Sequence, residues 1–81
     1  MYENKILVNI YILSLSRNYE MFIPVNEKVG HIANLLNNVM SDCFDSNKVI
    51  LILNVDNGKC YKNNELVRDT DIVNGTKLVL I

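Results

Sequence analysis

The sequence predicts an α+β domain in which a single amphipathic helix packs on one face of a mixed sheet of four to five strands. Three features support this prediction. Apolar residues alternate in residues 5–13, residues 29–40 carry apolar side chains at helical spacing, and short apolar runs in the C-terminal third are separated by turns that contain Asn and Gly. The 81 residues have room for one domain, spanning 1–81.

The first two strands are predicted to form a hairpin. Every second residue of the first strand, residues 5–13, belongs to one apolar face: Ile6, Val8, Ile10 and Ile12. A polar link over residues 14–18 leads into a second strand over residues 19–25. Pro24 cannot donate a backbone hydrogen bond, so we expect it to mark the end of that strand.

One segment has helical periodicity. Asn26 is a candidate N-cap, and Glu27 would place a negative charge in the first turn. The apolar arc consists of Val29, Ile32, Ala33, Leu36, Val39 and Met40. The opposite, polar arc consists of His31, Asn34, Asn37 and Asn38. Such a helix packs one side against a sheet, and the polar residues 41–48 are expected to end it.

The C-terminal half predicts strands joined by turns. Residues 49–53 form a continuous apolar run that suits a central strand. A turn at residues 56–58 precedes a short strand over 59–62, which we expect to pair back on that run. A turn at residues 63–64 follows, and residues 66–72 predict a loop with one helical turn. Asn74 and Gly75 turn the chain into a last strand over 76–81, so the order is ββαβ(β)β.

Charge and hydropathy argue against a nucleic-acid-binding protein and against a membrane-spanning one. The formal net charge is −1 and the basic residues are scattered, whereas nucleic-acid binders usually concentrate them. No apolar run approaches the roughly 20 residues that span a bilayer, and the N-terminus lacks signal-peptide features. We therefore expect a cytoplasmic protein. Cys43 and Cys60 are then expected to be reduced thiols packed as small apolar residues.

No constellation of catalytic residues is apparent, so we expect neither an enzyme nor a cofactor or metal site. His31 is the one histidine and falls on the polar arc of the helix, which indicates a solvated surface residue. Asp69 and Asp71 flank a turn, where hydrogen bonds to nearby backbone N–H groups explain them better than acid–base chemistry. The sequence contains no glycine-rich phosphate loop.

The element order resembles that of ubiquitin-like (β-grasp) proteins. The likeness is strongest in residues 58–66 and 71–81, which read GKCYKNNEL and DIVNGTKLVLI. In this arrangement Leu66 and Ile72 are expected to close the bottom of the core, and Gly75 to adopt a backbone angle that other residues resist. Length, order and the ending from Ile72 to Leu78 are most similar to the YukD/EsaB-type proteins of bacterial type VII (WXG100) secretion.

That resemblance implies a non-conjugating protein-binding module, an accessory or regulatory component of a type VII-like secretion system. Its partner would be a membrane ATPase or another membrane component, which places the protein in the cytoplasm or peripherally at the secretion complex. The alternative is a ubiquitin-like modifier or sulfur carrier. Those proteins end in a flexible Gly-Gly tail, whereas the sequence has no glycine after Gly75, so we expect neither activity.

The candidate binding surface is the sheet face opposite the helix. If the Ile6–Ile12 alternation faces the helix, Leu7, Tyr11 and Leu13 face outward. In the last strand, either Leu78 and Leu80 or Val79 and Ile81 do so as well. The candidate protein-binding residues are Leu7, Tyr11, Leu13, Phe22, Val79 and Ile81. Exposed apolar area of this kind usually marks an interaction site. The open alternatives are a covered, inert face and a homodimer contact.

Overall fold

The computed structural model describes residues 4–40 and 51–81, with the side chains of residues 39 and 40 left out. Four strands and one α-helix occur in these residues: β1 (Lys5–Ile12), β2 (Arg17–Pro24), α1 (Ile32–Met40), β3 (Ile52–Asn54) and β4 (Lys77–Leu80). Short 3-10 turns occupy Leu13–Leu15, Val29–His31 and Val67–Asp69. The predictions for residues 41–50, including Cys43, lie outside the described residues.

The described strands form one mixed sheet in the order β2-β1-β4-β3. β1 pairs antiparallel with β2 and parallel with β4, while β3 pairs antiparallel with β4. The parallel pair at the centre requires a crossover connection, and α1 lies on that connection between β2 and β4. The predicted α+β class, with a mixed sheet and one helix, is confirmed for the described residues.

The N-terminal hairpin follows from the alternation in β1. Val8, Ile10 and Ile12 are all buried, and β2 ends at Pro24 as expected. The connection between the two strands is shorter than the predicted residues 14–18, because a 3-10 turn begins at Leu13 and β2 already begins at Arg17. Ser16 closes this turn with a φ of 52°, a left-handed conformation that small polar residues tolerate better than bulky ones.

The helix begins later than predicted, and Asn26 does not cap it. The residue before the first helical turn is Lys28, in an extended conformation. Asn26 instead accepts a hydrogen bond from Nη1 of Arg68 at 3.0 Å, and Val67 N donates to the carbonyl of Glu27 at 2.9 Å. Asn26 lies in a separate turn, in which Glu27 N donates to the carbonyl of Pro24 at 3.2 Å. The bridge from Lys28 to Leu66 separates this turn from the helical residues.

The core lies between α1 and the inner face of the sheet. The described part of the predicted apolar arc, Val29, Ile32, Ala33 and Leu36, is buried against strand residues such as Ile10. Burying one large aliphatic side chain stabilises a fold by roughly 1.5–3 kcal/mol. The bottom of the core, which Leu66 and Ile72 are predicted to close, differs in one residue.

Ile72 is buried as expected, but its partner in closing the bottom of the core is Val67. Leu66 is only partly buried, because the following residues enter a 3-10 turn that points Val67 inward.

Two predictions about the C-terminal strands are wrong. β3 lies at the edge of the described sheet, because β4 rather than β3 pairs with β1 in the centre. The strand expected over 59–62 is reduced to one bridge between Leu53 and Cys60. Cys60, which takes part in this bridge, is exposed, so the prediction that it packs as a small apolar residue is wrong. In the residues that the structure describes, no helix is both long and apolar enough to cross a membrane.

Candidate functional site

The register of the sheet determines which side chains point away from the helix. Because Val8, Ile10 and Ile12 are buried, Leu7, Asn9 and Tyr11 occupy the opposite side of β1. Residues directly opposite one another in paired strands share a face. We call the side that carries Leu7, Asn9 and Tyr11 the outer face.

Apolar residues meet at one end of the outer face. Tyr11 is paired with Val79, and Val79 is paired in turn with Leu53. The next pair continues the ladder, since Ile81 N donates to the carbonyl of Leu51 at 2.9 Å. Val55 follows Leu53 on the same side and is 52% exposed, and Ile81 is 39% exposed. We call Tyr11, Leu53, Val55, Val79 and Ile81 the docking patch.

A polar row divides the outer face. Asn9 is paired with Lys77 on one side and with Glu20 on the other, and both charged residues are exposed. Beyond this row lie Leu7 and the 46% exposed Phe22, which are paired with each other. The continuous apolar surface predicted from alternation is therefore wrong: two apolar areas are separated by charged and amide side chains.

The structure does not place Leu13 on a strand. β1 ends at Ile12, and Leu13 begins the 3-10 turn of the hairpin with half of its surface exposed. The strand alternation that predicted its direction therefore does not apply to it. Of the six candidate residues, the docking patch brings together Tyr11, Val79 and Ile81.

A shallow depression of about 390 Å³ lies in the outer face. Its lining combines three residues of the docking patch with Leu78 and polar neighbours: Asn9, Tyr11, Asn18, Val55, Lys77, Leu78 and Val79. Sequence reasoning missed Asn9, Asn18, Val55 and Lys77. The alternation in β1 already placed Asn9 beside Tyr11, whereas the position of Val55 depends on the pairing of β3 with β4.

The depression is apolar on one side and cationic on the other. Val55 N donates to the carbonyl of Lys77 at 2.9 Å, so the exposed Lys77 side chain adjoins the apolar residues. Glu20 lies two strands away in the same row. A partner with apolar side chains and one carboxylate would match this arrangement, because it could bury the apolar area and pair with Lys77.

A second cluster of polar side chains joins the 56–58 turn to the segment before β4. The Tyr61 hydroxyl donates to Oδ1 of Asp71 and accepts from Nδ2 of Asn54, while Asn57 Nδ2 donates to Oδ2 of Asp71 at 2.7 Å. We call Asn54, Asn57, Tyr61 and Asp71 the clasp. The prediction that Asp71 bonds to local backbone N–H groups is incomplete. Its own backbone N–H contributes, but its side-chain donors, Asn57 and Tyr61, lie 14 and 10 residues earlier in the chain.

The clasp shifts two ionisation equilibria in opposite directions. The hydrogen bond from Tyr61 lowers the pKa of the Asp71 carboxyl, with help from Asn57 and from Lys59 nearby. Burial raises the pKa of the Tyr61 hydroxyl, and its hydrogen bond to Asp71 adds to this. Both shifts favour a neutral phenol donating to a charged carboxylate. The cluster is therefore a structural link between two loops.

His31 lies on the surface, as its helical phase predicted, and its Nδ1 contacts Oε1 of Glu27 one turn earlier. The hydrogen bond with His31 lowers the pKa of Glu27. In residues 4–40 and 51–81, no three His, Cys, Asp or Glu side chains are grouped closely enough to hold a metal ion.

Comparison with known proteins identifies the fold of this chain but not its family. No protein-family model matches the sequence, and no curated protein matches it. Solved structures do match. The N-terminal ubiquitin-like domain of the 4931431F19Rik protein superposes with a TM-score of 0.74 at 13% identity, over 96% of this chain and 74% of that chain.

Two further structures agree. The ubiquitin of Caldiarchaeum subterraneum superposes with a TM-score of 0.73 at 16% identity, over 94% of this chain and 90% of that one. A ubiquitin-like domain of an Arabidopsis thaliana protein gives 0.73 at 14% identity, over 96% and 77%. Sequence identity this low supports a shared fold and gives no information about a shared activity. The chain has the ubiquitin-like β-grasp fold.

Proposed function

We propose that this chain is a non-catalytic, non-conjugating protein-binding module that docks a partner protein on the outer face of its sheet. The observation that supports this most directly is the docking patch. Val55 and Ile81 are exposed, and they adjoin the half-buried Tyr11, Leu53 and Val79. Apolar side chains gathered on one open face lose stabilising burial unless a partner covers them.

The centre of the docking patch lies on strands of the sheet. Tyr11 and Val79 belong to the two central strands, whose inner side chains, such as Ile10 and Leu78, are buried in the core. A patch held in this way needs little ordering on binding, which favours affinity. Substitutions of its outward side chains should therefore affect binding much more than folding.

We further propose that the module is an accessory or regulatory component of a type VII-like secretion system. Its length, element order and the segment from Ile72 to Leu78 support this assignment by their similarity to YukD/EsaB-type proteins. The partner would be a cytoplasmic domain of the secretion ATPase or another membrane component. A matching partner surface would present apolar side chains and a carboxylate that reaches Lys77.

The test is direct binding by calorimetry to purified cytoplasmic domains of the secretion ATPase from the same genome. Val79→Asp places a charge in the centre of the docking patch and should weaken binding at least tenfold. Val73→Asp is the matched control, because Val73 is exposed in the turn before β4 and lies outside the docking patch. Equal binding by wild type and both variants would refute the docking patch, and no binding by the wild type would refute this choice of partner.

The alternative function is a ubiquitin-like modifier or sulfur carrier, which shares the same fold. Both require adenylation of a C-terminal carboxylate. Incubation of the protein with ATP and an adenylating enzyme, followed by mass spectrometry of the intact chain, distinguishes the two functions. A C-terminal adenylate would support the alternative and contradict the non-conjugating module.

A further inference from the structure

The sequence contains two Asn-Gly pairs, Asn57-Gly58 and Asn74-Gly75, and both glycines have positive φ, at 73° and 85°. A glycine nitrogen reaches the preceding asparagine side chain readily, because glycine has no Cβ to obstruct the approach. We propose that the Asn57-Gly58 turn is a site of spontaneous deamidation in the folded protein, whereas Asn74-Gly75 is protected by the sheet.

The reaction needs only water. The backbone nitrogen of Gly58 attacks Cγ of Asn57, and the new C–N bond closes a five-membered succinimide. The bond from Cγ to Nδ2 breaks, and the nitrogen leaves as ammonia together with the proton from the Gly58 N–H. Water then adds to either carbonyl of the succinimide. One product is aspartate at position 57, and the other is isoaspartate, in which the backbone runs through the former side chain.

The attacking and attacked groups at Asn57 are held mostly by local contacts. Gly58 N donates to the carbonyl of Asn54 at 2.8 Å, and Oδ1 of Asn57 accepts from Lys59 N at 2.9 Å. Both bonds lie within one turn, and residues 55–60 are all exposed. Local opening of such a surface turn costs far less free energy than unfolding of the core. The exposed turn can therefore open and react while the rest of the protein stays folded.

Asn74 is restrained by a different part of the molecule. Its Oδ1 accepts from the backbone N of Leu7 at 2.8 Å, and Gly75 N donates to the carbonyl of Leu7 at 2.8 Å. Immediately beyond, Asn9 N donates to the carbonyl of Thr76 at 3.0 Å. Freeing Gly75 N for attack thus requires separation of β1 from the start of β4. These are the central strands, so this opening approaches global unfolding.

Deamidation at position 57 also changes the clasp. The nitrogen that leaves is the one that donates to Oδ2 of Asp71 at 2.7 Å. The product replaces this donor with a second carboxylate, and two neighbouring carboxylates repel each other. The contact between Tyr61 and Asp71 remains, but Asp71 loses one of its two side-chain donors. The modified protein should therefore be less stable and more acidic than the original.

The test follows deamidation in mildly alkaline buffer by intact mass, with peptide mapping to separate the two sites. In the folded protein we expect Asn57 to react at least about tenfold faster than Asn74, because the difference lies in the cost of local opening. In urea the two rates should become similar, since both pairs are then unrestrained. Equal rates in the folded protein, or reaction at Asn57 only in urea, would overturn the proposal.

A variant tests the structural restraint separately. Asp71→Ala removes the acceptor that holds Nδ2 of Asn57, so it should speed reaction at Asn57 severalfold and leave Asn74 unchanged. An unchanged rate at Asn57, or equal acceleration at both sites, would show that the contact with Asp71 does not restrain the turn. Asn57→Asp imitates one product and should lower Tm relative to the wild type. A Tm equal to or above that of the wild type would contradict the predicted loss at the clasp.

Discussion

Removal of one hydroxyl group should measurably loosen the link between the two loops of the clasp. In Tyr61→Phe the ring stays in place, but Asn54 Nδ2 loses the acceptor that lies 3.0 Å away. Asn54 is 4% exposed, and its Oδ1 is already engaged by Asp56 N at 2.9 Å. A buried donor left without a partner costs about 1–3 kcal/mol. Asp71 contributes less, since its half-exposed carboxylate can recover hydrogen bonds from water.

The assay is equilibrium unfolding in urea at neutral pH, supported by thermal melts. We expect the free energy of unfolding to fall by about 1–3 kcal/mol. For a domain of this size, each kcal/mol lowers Tm by roughly 4–8 °C. Tyr11→Phe is the matched control, because it removes the same atom from a half-buried tyrosine on the outer face. Equal stability of Tyr61→Phe and wild type would refute the argument.

The same variant should change the acid limb of the stability curve. The pKa of Asp71 is lowered in the folded protein, chiefly by the hydrogen bond from Tyr61. A carboxyl of this kind stabilises the fold fully above its unfolded pKa, and the contribution disappears as the pH falls through the lower folded pKa. Wild type should therefore lose this stability below about pH 4, and Tyr61→Phe should lose less over the same interval. Parallel curves would show that Tyr61 does not lower the pKa of Asp71.

Three further substitutions test the packing, each by urea unfolding. Leu36→Ala empties a core position that is 1% exposed and should lower the free energy of unfolding by about 2–5 kcal/mol. Leu53→Ala on the outer face should lower it clearly less. Equal losses would show that the outer face is also core. Gly30→Ala would bring a Cβ to 2.8 Å from Cβ of Asn63, so it should destabilise the fold by about 1–3 kcal/mol through overpacking. A neutral Gly30→Ala would indicate that the loop of Asn63 can move aside.

Much of the architecture could be predicted because it depends on local periodicity. Alternation in β1 identified Val8, Ile10 and Ile12 as buried, and helical spacing identified Val29, Ile32 and Leu36. In both cases the side-chain direction follows from the backbone repeat alone. The turn at Gly75 was predictable for a similar reason, since its positive φ is a property that glycine adopts without strain.

The site was predicted less completely, because its composition depends on strand pairing. Alternation correctly turned Tyr11 outward, but it left open whether Val79 or Leu78 does so in the last strand. Only the register sets Lys77 and Glu20 beside Asn9 and so divides the outer face. Leu13 was misplaced because periodicity does not reveal where a strand ends. The clasp could not be foreseen at all, since Tyr61 and Asp71 meet through a loop with no repeating pattern.

The amino-acid sequence by itself thus determined the strand and helix periodicities, the turns, and the direction of most apolar side chains. The tertiary structure alone decided that β4 rather than β3 lies in the centre beside β1, and that Val67 rather than Leu66 closes the core. The physical reason is the range of the interactions. Backbone geometry acts over neighbouring residues, whereas pairing between distant strands depends on how well their side chains pack together.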